Sequence, residues 1–268
     1  MFTTIKGVRF SFIDEGEGQT ILFVHGFPLS RVIWQPQIEA LTKNYRVIAP
    51  DLRGHGESSA PAGVYTMDAF AEDLQALIAE RKCAPVVLVG HSMGGYISFA
   101  FYRKFPQSVR AMVLFCTRAI ADSAEGKIAR ENLAQRAERE GAAAVAGQTL
   151  PKMFAPTSSD SSQGKSGRPD LVESVRQIML AISVNALAGS LRGMAARPSA
   201  VELLAKITVP TLVIAGENDL IVPASESAAM AGAIPDAELV MIPHAGHLAS
   251  LENPEAVAAT LRAFLAKI

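Results

Sequence analysis

Cysteine, aromatic rings and net charge are all scarce in this sequence, and each scarcity removes a class of protein. With two cysteines among 268 residues, Cys83 and Cys116, the chain cannot rest on a disulfide framework. The pair also lacks metal-ligand spacing, so both read as packing residues of a reducing compartment, and the expected location is cytoplasmic. Lys and Arg number 25 against 26 Asp and Glu, a formal net charge of -1. Without a basic run or stripe, that balance makes no field to gather a polyanion or an anionic membrane, and neither nucleic acid nor membrane is an expected partner. The longest apolar stretch, from Pro85 to Tyr102, is interrupted by His91, Ser92 and several glycines, so it reads as strand, turn and helix and not as a membrane span. Met1 to Phe12 alternates polar and apolar residues and lacks the charged-then-apolar layout of a secretory leader, so export is not expected.

What the sequence has in plenty is apolar side chains, 49% of the total, enough for one large core in a chain near the upper size of a single domain. Short Val-, Ile- and Leu-rich runs recur at Ile21-Val24, Arg46-Ala49, Val86-Val89, Ala111-Phe115, Thr211-Ala215 and Glu238-Ile242. Runs of this kind suit strands covered on both faces. Between most of them lie segments with helical spacing: Trp34 to Leu41, Met67 to Arg81, Gly94 to Phe105, Ala224 to Ala233 and Glu255 to Ala266. The alternation predicts an α/β fold with right-handed crossovers and a mostly parallel sheet. Ile5 to Ile13 and the first run are expected to start the sheet as an antiparallel meander joined through Asp14-Glu15-Gly16-Glu17-Gly18. From about Arg118 to Ile207 no strand is evident and helix formers dominate, which predicts a helical insertion. Within it the Ser-, Gly- and Pro-rich Ala155 to Pro169 is expected to be a mobile loop. No internal repeat is present.

Gly90-His91-Ser92-Met93-Gly94 follows one of the apolar runs and leads into a helical segment. A serine lifted clear of a strand-to-helix turn needs small neighbours two residues either side, where larger side chains would collide with adjacent elements. A hydroxyl is a poor nucleophile near neutral pH and needs a base, and that base needs a group to hold its tautomer. His247, on a loop after the last strand, is the expected base, and His244 is the competitor. A zinc site from His244 and His247 lacks a third ligand. Asp219, after Thr211-Ala215, is the expected orienting carboxylate, preferred over Glu217, which has less reach; either could instead cap the helix after Pro223. The backbone N-H groups of Met93 and Phe27 are the expected donors to a developing oxyanion. A cis peptide before Pro28 is plausible, and His25 reads as a structural hydrogen-bonder. The loop from Asp51 to Ser58 reads as structural in spite of His55.

Taken together, His25-Gly26-Phe27-Pro28, Asp51-x-Arg53-Gly54-His55-Gly56-x-Ser58, the pentapeptide around Ser92, Gly216-Glu217-Asn218-Asp219 and Gly246-His247 occur in the order that resembles α/β-hydrolases. The resemblance covers nearly the whole chain. It implies an α/β-hydrolase fold: an eight-stranded, mostly parallel sheet flanked by helices, with a helical cap inserted after the sixth strand and the site between cap and sheet. Residues 1-117 and 208-268 would form the core and 118-207 the cap. Serine at position 92 departs from haloalkane dehalogenases and epoxide hydrolases, which use aspartate there. The segment Leu191 to Pro198 and the carboxyl half resemble small carboxylesterases and hydrolases of the 3-oxoadipate enol-lactonase type. The loop His25 to Ser30 is also similar to that of cofactor-free haloperoxidases, esterases with perhydrolase side activity, which more often carry Trp where Phe27 stands.

The expected function is therefore a serine carboxylesterase acting on a small ester, with a lactonase, a perhydrolase or a ligand receptor on the same fold as alternatives. No cofactor and no metal are expected, and the oligomeric state is left open. The expected substrate-binding side chains are Phe27, Trp34, Met153, Phe154, Leu220 and Leu248, while Met179 and Met194 are expected to pack between helices. If the substrate were an acidic lactone, a cation would have to face the pocket, and Arg118, Arg192 and Arg197 are the candidates.

Overall fold

The structure is a computed structural model and describes residues 1-156 and 168-268; most of the loop expected between Ala155 and Pro169 lies outside the described residues. Eight strands form one sheet: β1 (Phe2–Ile5), β2 (Val8–Glu15), β3 (Thr20–Val24), β4 (Arg46–Pro50), β5 (Val86–His91), β6 (Val109–Phe115), β7 (Thr211–Gly216) and β8 (Ala237–Ile242). Their spatial order is β1-β2-β4-β3-β5-β6-β7-β8. From β4 to β8 every neighbouring pair is parallel, and β1 and β2 add an antiparallel edge.

The start of the sheet differs from expectation. Ile5 to Ile13 is not one strand but spans parts of two, joined by a tight turn at Lys6 and Gly7, both at positive φ (49° and 79°). Strand β2 pairs with β1 and β4 and not with β3. The parallel partnership of β3 with β4, which sets Ile21 beside Val47, puts β4 between them, and the glycine-containing stretch 16-18 becomes a link across a strand in place of a hairpin.

Alternation along the central strands divides the core in two, since successive side chains leave a strand on opposite faces. Leu22, Val24, Ile48, Val86, Leu88, Met112, Leu114 and Val213 enter one cluster. Ile21, Phe23, Val47, Ala49, Val87, Val89, Val113, Phe115, Leu212 and Ile214 enter the other. The first face is covered by α2 (Met67–Glu80), α3 (Met93–Lys104) and α9 (Ala224–Ala233), through residues such as Phe70, Ile97 and Met230. The second is covered by α1 (Gln35–Leu41), the single turn α10 (Ala249–Glu252) and α11 (Pro254–Leu265), through Ile38, Leu41, Ala249 and Leu261. Both cysteines are free and buried.

Between β6 and β7 run α4 (Ala124–Glu140), α5 (Ala142–Thr149), α6 (Pro169–Leu180), α7 (Val184–Ala195) and the short α8 (Val201–Leu204). Helix α7 rests directly on the backbone below it. The carbonyl of Gly189 accepts from Tyr65 N-H (3.0 Å), and a Cβ at Gly193 would lie 1.7 Å from the Tyr65 carbonyl oxygen. Only glycine permits that approach. Among the described residues no single helix is long and apolar enough to cross a membrane.

Candidate active site

Strand β5 ends at His91 and α3 begins at Met93, so Ser92 carries the whole change of direction. It does so at φ 53° and ψ -113°, a conformation that L side chains adopt only when their surroundings hold them there. Ser92 N-H donates to the Phe115 carbonyl (2.9 Å), and the Ser92 carbonyl accepts from Gly95 N-H (2.8 Å) and from the Thr117 hydroxyl (2.8 Å). The flanking glycines are required by contact. A Cβ at Gly94 would sit 2.3 Å from the Val24 carbonyl oxygen, and one at Gly90 would sit 2.3 Å from Ser98 Oγ.

His247 follows β8 in a loop that turns its ring inward, where 1% of the residue is exposed. Its Nδ1 donates to Asp219 Oδ2 at 2.8 Å. The other oxygen of Asp219 accepts two backbone N-H groups, from Ile221 (2.8 Å) and Val222 (2.9 Å), so both oxygens are committed and their directions are set. Burial opposes the charged form of Asp219, but the adjacent His247 and the three hydrogen bonds outweigh it and hold the carboxyl below its ordinary value. His244 is exposed, at φ 57°, and its N-H donates to Glu217 Oε2 (3.0 Å). The competing histidine and the competing carboxylate therefore meet each other away from Ser92.

Two residues hold the His247 loop that the sequence had not marked. His91 Nε2 donates to the His247 carbonyl at 2.8 Å, and Glu252 accepts from Gly246 N-H and Ala155 N-H, both at 2.8 Å. His91 belongs to the glycine-flanked pentapeptide, which was its only visible signal; Glu252 had none.

The N-H groups of Phe27 and Met93 take no protein partner among the described residues, although both residues are buried. Buried backbone donors are rarely left so, and two of them beside Ser92 form a ready seat for an oxygen. The Phe27-Pro28 peptide is cis. His25 underlies this loop: its Nε2 accepts from Leu52 N-H (3.0 Å), so Nδ1 carries the proton and donates to the Gly26 carbonyl (2.8 Å). Burial lowers its pKa to about 4 and keeps it neutral. The 51-58 loop is tied by structural bonds, with Asp51 accepting from Arg31 and from Glu57 N-H and Arg53 paired with Asp73 (2.6 Å). His55 is buried, with a pKa lowered to about 3 by its burial.

Ser92 and His247 open into one cavity of about 120 Å³, lined also by Phe27, Tyr96, Arg130, Leu133, Thr149, Met153, Leu191, Met194 and Ile221. Of the six side chains expected to bind substrate, Phe27 and Met153 line it and four do not. Trp34 is fully buried against the central strands, beside Phe23 of β3 and Phe115 of β6 (ring centroids 4.8 and 5.5 Å). Phe154 and Leu248 point into the core below. Leu220 faces solvent at 57% exposure, and its neighbour Ile221 takes the cavity position. Met194, expected in helix packing, also reaches the cavity. None of the three candidate cations lines it either. Arg118 pairs with Glu226, Arg192 with Glu131 and Glu138, and Arg197 with Asp122. Among the described residues the lining cation is Arg130.

The one cluster of metal-ligand types among the described residues is His91, Cys116 and His247, with donor atoms within 4.8 Å of one another. Imidazole protons of its two histidines already go to the His247 carbonyl and to Asp219, and burial raises the Cys116 thiol well above its ordinary pKa.

A family model described as alpha/beta hydrolase fold matches residues 19-254. A thermophilic esterase from Thermogutta terrifontis, solved with malate bound, superposes with a TM-score of 0.93 at 40% identity, over 99% of this chain and 96% of that one. The enol-lactonase from Burkholderia xenovorans LB400 superposes with a TM-score of 0.89 at 27% identity, over 99% of this chain and 100% of that one. Matches to several curated relatives are shorter. An uncharacterized protein of Mycobacterium tuberculosis is 36% identical over 113 residues, which is 42% of this chain and 33% of that protein.

Proposed function

We propose, from the premise that this chain belongs to the alpha/beta hydrolase fold family, that it is a serine hydrolase which cleaves small carboxylic esters or lactones through an acyl-enzyme. The observation that carries the reading is the buried 2.8 Å bond between Asp219 and His247, in a loop that borders the same cavity as the strained Ser92. With Asp219 holding the proton on Nδ1, Nε2 of His247 is left as the basic nitrogen. Ser92 Oγ then attacks the substrate carbonyl while Nε2 takes its proton. The oxyanion is stabilised by Phe27 N-H and Met93 N-H, the second at the positive end of α3; losing one such donor costs about 10² to 10³ in turnover. His247 returns the proton to the leaving alkoxide, which departs and leaves Ser92 acylated. Water, deprotonated by the same imidazole, releases the acid and restores the serine.

In this reading residues 118-207 act as a cap over a core made of 1-117 and 208-268. A cavity of about 120 Å³ is small beside the roughly 300 to 1,000 Å³ of sites for drug-sized ligands, which favours short acyl groups. The 40% identity to an esterase over nearly the full length supports the ester, and the enol-lactonase keeps the cyclic ester within the class. Labelling with a fluorophosphonate and a series of p-nitrophenyl esters of rising chain length tests it. Stoichiometric label that is lost in Ser92→Ala, with turnover highest for short chains, is the expected result. An unlabelled wild-type chain, or label that survives Ser92→Ala, overturns it.

A further inference from the structure

The cavity beside Ser92 is mostly apolar, yet one guanidinium stands in its wall. Arg130, on α4, is held from behind. Its Nε and Nη2 face Asp122, while among the described residues the only partner of Nη1 is the sulfur of Met194, at 3.5 Å. A thioether is a weak acceptor, so one arm of the fork lacks a strong partner on the cavity side. Met194 lines the same cavity.

Asp122 does not cancel this charge, because it is shared. Its Oδ1 also accepts from Arg197 Nη2 at 2.9 Å. Arg197 is itself fixed by the Met194 carbonyl (2.9 Å) and the Ile120 carbonyl (3.0 Å) and lies 4.0 Å over the Tyr96 ring. Two guanidinium groups and one carboxylate leave a net charge of +1. No Asp or Glu lines the cavity among the described residues. A partly buried, preorganised guanidinium whose Nη1 arm lacks a strong acceptor suits an oxyanion, to which that arm can donate a charge-assisted hydrogen bond.

We propose that Arg130 is a specificity-determining residue that selects esters or lactones bearing a free carboxylate. The inference rests on the serine-hydrolase reading above and names the substrate class of that same site. The carboxylate docks on Nη1 of Arg130 in the wall while the scissile carbonyl meets Ser92. Asp122 and Arg197 are positioning residues that keep the guanidinium aimed and prevent its collapse into the cavity. Larger cavities elsewhere, such as the 280 Å³ groove between Ile120, Val201 and Met230, lack Ser92 and His247.

Two matched pairs of substrates test it, one for each side of the ester. The p-nitrophenyl monoester of glutaric acid against p-nitrophenyl valerate places the charge on the acyl part. 4-Carboxyphenyl acetate against phenyl acetate places it on the leaving group. In the wild type, kcat/KM for one anionic member exceeds that of its neutral partner by about ten- to a hundred-fold, the worth of a hydrogen bond to a charged group. In Arg130→Met that ratio falls to about one or below, and in Arg130→Lys, which keeps the charge without the fork, part of it survives. Neutral esters favoured in both pairs, or a preference that persists in Arg130→Met, overturns the proposal. Fluorophosphonate labelling of each variant separates the two readings: label on Ser92 with no anionic preference defeats the selectivity alone, and no label defeats the hydrolase reading together with it.

Discussion

Asparagine at position 219 would test the proposed relay, because the surroundings of Asp219 dictate how the amide must sit. Ile221 N-H and Val222 N-H both point at Oδ1, so an asparagine keeps its carbonyl oxygen there and turns its NH₂ toward His247 Nδ1. Two donors cannot share that 2.8 Å contact, and the imidazole escapes by moving its proton to Nε2. The nitrogen that has to accept from Ser92 is then already protonated. A wrong-tautomer base of this kind costs about 10⁴ in kcat, roughly 5.5 kcal/mol of transition-state stabilisation. Stability is nearly unaffected, since the two backbone donors remain satisfied. Asp219→Ala gives the contrast. It loses comparable activity but also strands two N-H groups, at about 1 to 3 kcal/mol for a buried unmatched donor, so its thermal midpoint drops by several degrees where that of Asp219→Asn does not. Turnover of p-nitrophenyl acetate near neutral pH and thermal unfolding followed by far-UV circular dichroism measure the two effects. Asp219→Asn that keeps more than about a tenth of wild-type kcat, a shortfall of over three orders against the wrong-tautomer cost, would refute the reasoning.

His91→Phe removes the donor that anchors the His247 carbonyl; kcat is expected to fall by about tenfold, the worth of one buried hydrogen bond, with partial recovery in His91→Gln, and equal rates in all three proteins would count against the anchor. Gly94→Ala forces a methyl to within 2.3 Å of the Val24 carbonyl oxygen, so β3 and α3 must part, and the thermal midpoint should fall by roughly 2 to 12 °C; an unchanged midpoint would show that the approach is softer than it looks. Burial raises the Asp122 carboxyl, but hydrogen bonds from Arg130 and Arg197 outweigh it and lower its pKa to about 2. Because the folded value lies below the unfolded one of roughly 3.9, the stabilisation is complete above about pH 4 and is lost as pH falls toward 2. Urea midpoints taken across that window should therefore slope less in Asp122→Asn than in the wild type, and parallel slopes would exclude the pair as a source of acid sensitivity.

The strands were legible because burial on both faces leaves a plain mark, a run of β-branched and aliphatic residues between turn formers. The antiparallel start of the sheet was legible too, but its pairing was not, because nothing local says that Lys6-Gly7 makes the turn and that stretch 16-18 does not; strand order is settled by which partner completes the parallel pairs. Errors at the pocket were mostly of one residue. Leu220 was expected inside and Ile221 is there; Phe154 was expected beside Met153 and turns into the core. Periodicity gives a side-chain direction on strands and helices, but the chain bends at both places, and at Asp219 the bend is made by the very bonds to Ile221 and Val222 that orient the carboxylate. Trp34 misled for another reason. It follows the His25 to Ser30 loop closely in sequence, and yet the single 3-10 turn Arg31–Trp34 buries its ring against the central strands, on Phe23 and Phe115.

The contrast between the readable residues and the unreadable ones has a physical origin. Around Ser92 the constraints are main-chain contacts: Gly94 against the Val24 carbonyl, Ser92 N-H on Phe115, and backbone N-H groups on Asp219. Such contacts demand particular residue types at fixed spacings, and they surface as motifs. The cavity wall is drawn from α4, α5 and α7 by side chains whose directions depend on how those helices rest on one another and on Tyr65, so Arg130 looks from sequence like any helical arginine. Side chains of the wall that make no main-chain bond can change without disturbing the turn at Ser92. Substitutions at Leu133 or Leu191 are therefore expected to reorder the ester preferences while fluorophosphonate still labels Ser92 at the wild-type rate within about threefold, well short of the loss that follows removal of an oxyanion donor. Loss of label in such variants would mean that the wall and the turn are mechanically one unit.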